Sequence, residues 1–360
     1  MKPAYTNLLF GLLMAGAAAG LLSGLYSGLM LFGLPVPQPP VLTGPAHGPL
    51  MINGFLAALI SLERAAAMER KWTYAAPISF VLSTGLFIAG HILWSSLFLL
   101  TGSFLLVAVL FLLWRQHPST WHMIMLLGGI SLLIGNAGFA LGLSIPELVG
   151  WWIAFPVLTI FGERLELNRL MRPPEKAQWI FTGLIFLWMG TLALVHITRY
   201  TAWIASGILL IVMAGWLLKY DIARRTIRTV EWTRFSALNM LTAYGWIILA
   251  GIFGLIYGLP WAGPIYDAIL HLYFVGFVFS MIFAHAAVII PALTGLIVPW
   301  SRYFYLPYAL LNLFLLARVI GDIFWLPELR SAGAYGNVAA ILLFLGGILS
   351  QGVRKIKEQR

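Results

Sequence analysis

Apolar stretches of about twenty residues recur along the chain from end to end, separated by short segments that hold most of the charge and many of the prolines. A stretch of that length spans roughly 30 Å of hydrocarbon as an α-helix. A helix also satisfies its own backbone hydrogen bonds where no water is present to do so. The pattern predicts spans at approximately 5–33, 47–66, 73–92, 94–114, 120–143, 148–168, 177–197, 200–219, 235–258, 264–290, 303–325 and 333–352. The expectation is an all-α polytopic membrane protein with about 12 transmembrane helices, forming a single transmembrane domain over residues 1–360. The first stretch contains Met14-Ala15-Gly16-Ala17, which imitates a signal-peptide cleavage site, but it is too long for an ordinary signal-peptide core.

Composition agrees with this reading. Of 360 residues, 61% are hydrophobic and 9% charged, with mean hydropathy +0.92. A water-soluble domain carries roughly 25% charged residues. The net charge of +10 does not point to nucleic acid, because the basic residues follow the loops. Alternate loops contain Lys2; Arg64, Arg70, Lys71; Arg115; Arg164, Arg169, Arg172, Lys176; Lys219, Arg224, Arg225, Arg228, Arg234; Arg302; and Arg354, Lys355, Lys357, Arg360, which is 19 of the 22. The opposite side has Arg199 and Arg330, and Arg318 falls inside a span. This is the positive-inside bias, and it predicts a bacterial-type inner membrane with both termini cytoplasmic. The absence of cysteine excludes disulfides, thiolate metal sites, Fe–S clusters and covalent c-type haem.

Polar and ionisable groups inside a bilayer are costly and therefore mark candidate function. Of seven histidines, His47, His91, His196 and His271 fall near outer span ends, and His117, His122 and His285 near the inner side. Neutral imidazole is the commonest metal and haem ligand. His47 opens the second span next to Gly48, where a missing Cβ would let a flat ring approach the backbone. In the tenth span His271 and His285 are fourteen residues apart, roughly 21 Å of rise and nearly the same helix face. That spacing suits two stacked haem sites, with His122 as the inner partner of His285, and it suits ordinary tight packing equally. Asp267 lies one turn before His271, where it would accept a ring N–H or remain a solvated helix-mouth carboxylate. Arg318 and Asp322, four residues apart in the eleventh span, read as a structural ion pair or as an anchor for an anionic group. Glu63-Arg64 and Glu163-Arg164, with Glu166, read as inner-surface ion pairs. Their recurrence four spans apart predicts a four-helix repeat relating spans two, six and ten.

The segment His47-Gly48-x-x-Met51 resembles the H-G-x-x-M of subunit I of haem–copper oxidases, and the span count and four-span repeat are similar to that superfamily. A closer resemblance is to the NnrS family, haem- and copper-containing membrane proteins linked to nitric oxide. Its second-span pattern, approximately H-A-H-E-M-L-F-G-F, matches His47, Met51, Gly54 and Phe55. Its later pattern, approximately H-A-L-T-V-G-x-x-x-x-M, matches His271, Val275, Gly276 and Met281. The resemblance implies haem b held by His47 and His271, with Met51 and Gly276 in the binding segments, and it leaves copper open. The family's second histidine and glutamate are here Pro49 and Leu50, and Leu293-Thr294-Gly295 lacks the histidine of the family's G-H-T-G. An oxidase copper centre also needs an adjacent histidine pair, and the chain has none.

Two functions follow. The first is a membrane-embedded b-type haem protein in electron transfer or nitric-oxide response, with His47 and His271 as axial ligands, Arg318 near the haem propionates, and Asp267 and Asp322 supporting. It would exchange electrons with a quinol or a periplasmic redox partner. The second is a haem-free secondary transporter or proton-coupled permease using His47, Asn53, Asp267, His271, Arg318 and Asp322. No catalytic residue set is assigned, and the lipid bilayer is the partner common to both.

Overall fold

The computed structural model describes residues 4–33, 44–294 and 297–358, with side chains over 8–33, 44–291 and 297–351. Lys2, most of the proline-rich loop after Leu34, Gly295, Arg360, and the side chains of Leu293, Thr294, Arg354, Lys355 and Lys357 lie outside the described residues.

Helices are the regular structure of the described residues, with no strand among them. In chain order the main helices are α1 (Ala4–Leu31), α2 (Gly44–Met68), α3 (Ala75–Ile88), α4 (Ile92–Gln116), α5 (Thr120–Ala140), α6 (Ile145–Asn168), α7 (Glu175–Leu194), α8 (Arg199–Tyr220), α9 (Glu231–Tyr257), α10 (Pro264–Pro291), α11 (Tyr305–Ile323) and α12 (Pro327–Glu358). Eleven are long and apolar enough to cross a membrane. The exception is α3, whose 14 residues rise only about 21 Å. A short 3₁₀ segment, Lys71–Tyr74, leads into it. The chain is a multi-pass, all-helical membrane protein.

The chain divides into two compact units, Met1–Gly162 and Glu163–Arg360, with the boundary inside α6. In the first unit, α1 meets α2 along glycines spaced four apart. A Cβ on Gly20 would collide with the backbone of Gly54, one on Gly24 would lie 2.7 Å from Met51 Sδ, and one on Gly28 would lie 2.8 Å from His47 Nδ1. Lipid supplies no hydrophobic force between helices, so close packing of small residues does that work. Ser83 and Ser95 join α3 to α4 through hydroxyls 2.8 Å apart. Further in, Asn136 Nδ2 donates to Asn53 Oδ1 at 2.8 Å and to Ser103 Oγ at 2.7 Å, and its Oδ1 accepts from Trp152 Nε1 at 3.0 Å. One buried amide thereby ties α2, α4, α5 and α6 together.

In the second unit, Gly207 of α8 and Gly251 of α9 face each other backbone to backbone. Gly276 admits the side chain of Trp246, whose Nε1 donates to Asn312 Oδ1 of α11 at 2.6 Å. The α11–α12 hairpin is closest where Gly321 lies against the backbone of Arg330 and Gly333 against that of Arg318. Helix α10 begins sharply: Gly263 adopts φ +93°, open to glycine, and Pro264 follows at the first helical position.

Two helices depart from regular α geometry. Leu50–Ala57 in α2 and Leu272–Phe279 in α10 are eight-residue π-helical segments. Both start on leucine and have Gly-Phe at the fifth and sixth places, Gly54-Phe55 and Gly276-Phe277. Such widened turns are rare and concentrate at functional positions. Each begins within three residues of a histidine singled out above.

The glycine contact yields a test. Gly20→Ala should cost on the order of 1–3 kcal/mol, because the methyl meets backbone that cannot rotate away. Gly11→Ala, with nothing within 4 Å of its Cβ, should leave stability unchanged or slightly raised. Thermal unfolding of the two variants in detergent checks the contrast.

Candidate functional site

Each unit contains a candidate imidazole near the start of a π-helical segment, with Nδ1 bonded to a main-chain carbonyl. In the first unit His47 is half-buried, and its Nδ1 lies 2.8 Å from the carbonyl oxygen of Gly24 on α1. A carbonyl only accepts, so Nδ1 carries the proton and a neutral ring has its lone pair on Nε2. The glycine that clears space for this ring is Gly28, not the neighbouring Gly48. A Cβ at Gly48 would meet only ordinary contacts at 3.8 Å or more. Met51 lies one turn on, against Gly24.

In the second unit His271 donates Nδ1–H to the backbone carbonyl of Asp267 at 2.8 Å, with carboxylate Oδ1 at 3.4 Å. The expected link between Asp267 and His271 is therefore made chiefly by the main chain. The Asp267 carboxylate is instead gripped from α11. Arg318 Nε donates to Oδ2 at 2.8 Å and Nη2 to Oδ1 at 2.9 Å, a two-pronged pair. Arg318 thus pairs with Asp267, on another helix, rather than only within its own helix. Asp322, fully buried, pairs with Arg330 of α12, Nε to Oδ1 at 2.6 Å, and Arg330 Nη2 also reaches Asp267 Oδ2 at 3.7 Å. Two carboxylates and two guanidiniums alternate around one cluster whose formal charge is zero. The close approach at Gly321 and Gly333 is what brings the two arginines level.

Arg330 was missed in the sequence because it sits at the mouth of a span. The available signal was its being one of two basic residues on the predicted outer side. Gly276 is set among Trp246 and Leu315, so its role in the geometry is to let α10 pack against α9 and α11. Of the candidate inner pair, His122 Nδ1 lies 2.9 Å from both Ser119 Oγ and the carbonyl of His117 at the start of α5. His285 Nδ1 lies 2.6 Å from the carbonyl of Met281. His91, His117 and His196 are exposed. Among the described residues, no group of three or more histidine, aspartate or glutamate side chains converges to hold a metal ion.

The fold and these sites define a polytopic helical membrane protein with two histidine-entered π-helical segments and a buried arginine–aspartate cluster. A family model described as a domain of unknown function, DUF8744, matches residues 10–353, and the chain belongs to that family. No curated protein and no solved structure matches the chain.

The cluster makes a prediction. Removing one partner of a buried pair leaves an uncompensated charge, so Asp267→Leu or Arg318→Met alone should destabilise by about 3–5 kcal/mol, while the double variant should recover most of that loss. A double-mutant cycle on thermal stability in detergent reads the coupling.

Proposed function

We propose that this is a membrane-embedded b-type haem protein, similar to the NnrS family, serving electron transfer or a nitric-oxide response. His47 and His271 are the residues that would hold the haem, each through its Nε2. The observation that carries the reading is the matched state of these two rings. Each is held by an Nδ1 bond of 2.8 Å to a backbone carbonyl, which leaves the lone pair of the neutral ring on Nε2, the form an iron ligand requires. Each also stands at the entrance of a π-helical segment.

The surrounding residues fit such a group. Gly28 clears the plane of the His47 ring, and Met51 adds a polarisable thioether on the same helix. In the second unit Arg318 and Arg330 are the guanidiniums that would face the carboxylate arms of a haem, and Asp267 and Asp322 hold them in place. A bound haem b would supply one-electron chemistry, and imidazole ligation from His47 and His271 would favour electron transfer over gas binding. A quinol or a periplasmic redox protein is the partner this implies, and copper is a further cofactor the family likeness raises. The basic bias of alternate loops supports an inner-membrane location with cytoplasmic termini.

A second reading, a haem-free transporter, draws on the interrupted helices α2 and α10 and on the buried ion cluster, features that substrate and ion sites in transporters share. Absorption spectra separate the two. Detergent-purified protein from haem-replete cells should show a Soret band and sharp reduced α and β bands, with a b-type pyridine haemochrome. His47→Ala and His271→Ala should each lose the pigment while still inserting in the membrane. Full haem content in either variant would sink the ligand assignment, and a colourless native protein would leave transport as the reading.

A further inference from the structure

At the far end of α6 the second unit buries a positive charge against sulfur. Arg164 is 2% exposed, yet it is held by a thioether rather than a carboxylate: Nη1 lies 2.6 Å from Met240 Sδ on α9. Its Nε has no hydrogen-bond partner. The inner-surface ion pair expected of Glu163-Arg164 is therefore not what fixes this guanidinium.

One turn further on, Asn168 is fully buried on the same face of α6. Its Oδ1 accepts the backbone N–H of Ile222 at 3.2 Å, and its Nδ2 is again without a partner. The two orphaned donors are enclosed by a closed set of contacts. Met240 and Tyr244 lie one turn apart on α9, and Tyr244 donates its hydroxyl to Asp221 Oδ2 at 2.7 Å. Asp221 Oδ1 accepts the N–H of Ala223 at 2.7 Å, and Ile222 returns to Asn168. The nearest negative charge in this ring is thus turned towards other donors, behind the phenol.

Buried donors left unpaired in a native protein call for an acceptor, and a buried guanidinium calls for a negative charge. One small anion meets both demands; a water molecule would meet only the first. We propose that Arg164 Nε and Asn168 Nδ2 form a binding site for a small monovalent anion of halide size. The burial of both donors excludes larger headgroups, the sulfur of Met240 suits a polarisable ion, and the exposed arginines Arg224, Arg225 and Arg228 beyond Asp221 raise the local anion concentration. The site is independent of haem, and its test does not depend on pigment.

The experiment is a thermal-unfolding titration of the full chain in detergent, in gluconate buffer, with sodium chloride or bromide replacing gluconate at constant ionic strength. The expected result is a saturable rise in the midpoint with either halide and none with phosphate or sulfate. Arg164→Lys keeps the charge but removes Nε, and Asn168→Leu removes the second donor; each should move half-saturation by about tenfold, the loss of one charge-assisted hydrogen bond. A midpoint that is the same in halide and gluconate overturns the proposal in the native protein alone, even if neither variant folds. An unchanged halide response in both variants overturns it as well. In crystals grown with bromide, an anomalous peak beside Arg164 supports the site, and a peak only elsewhere removes it.

Discussion

Hydrocarbon offers no hydrogen bonds, and the rest of this structure depends on that constraint. Every backbone group within the bilayer must be satisfied within the protein, and here long helices joined by short loops do so. Attraction between helices must then come from close contact and from polar groups that find one another. Both devices are visible. Glycines at Gly20, Gly207, Gly251, Gly321 and Gly333 let backbones touch, and a single asparagine, Asn136, binds three other helices through its side chain.

The same constraint explains how charge is handled. In the second unit Asp267, Arg318, Asp322 and Arg330 cancel within one cluster, and the glycines of the α11–α12 hairpin make that cancellation geometrically available. Arg164 is the contrast: buried, but set against sulfur. Where a protein pairs its clustered charges and sets a buried guanidinium on a thioether, the exception is the place to look for a ligand.

His47 and His271 show a third consequence. Each ring spends one nitrogen on a main-chain carbonyl, which fixes its tautomer. In α2 that carbonyl comes from another helix, exposed to the ring by the glycines around it. In α10 it comes from Asp267 in the preceding turn, at the start of a helix opened by Gly263 and Pro264.

The class of protein, the positions of its spans and the one-sided distribution of basic residues were all determined by the sequence on its own. Hydropathy accumulates along a single helix, and bilayer thickness sets its period, so these properties need no knowledge of neighbours. The short α3 was the exception, because a stretch of adequate apolarity began with a 3₁₀ turn. Candidate histidines were legible for a similar reason: a polar residue in an apolar run stands out locally. Their partners were not. Local spacing paired Arg318 with Asp322, whereas the fold pairs it with Asp267, 51 residues away, and sets Arg164 on Met240, 76 residues away. Gly48 looked like the residue that makes room for His47, and Gly28 on another helix does so. Which donor meets which acceptor depends on how helices pack in three dimensions, through contacts a few ångströms long between residues far apart in the chain, and only the tertiary structure could decide it.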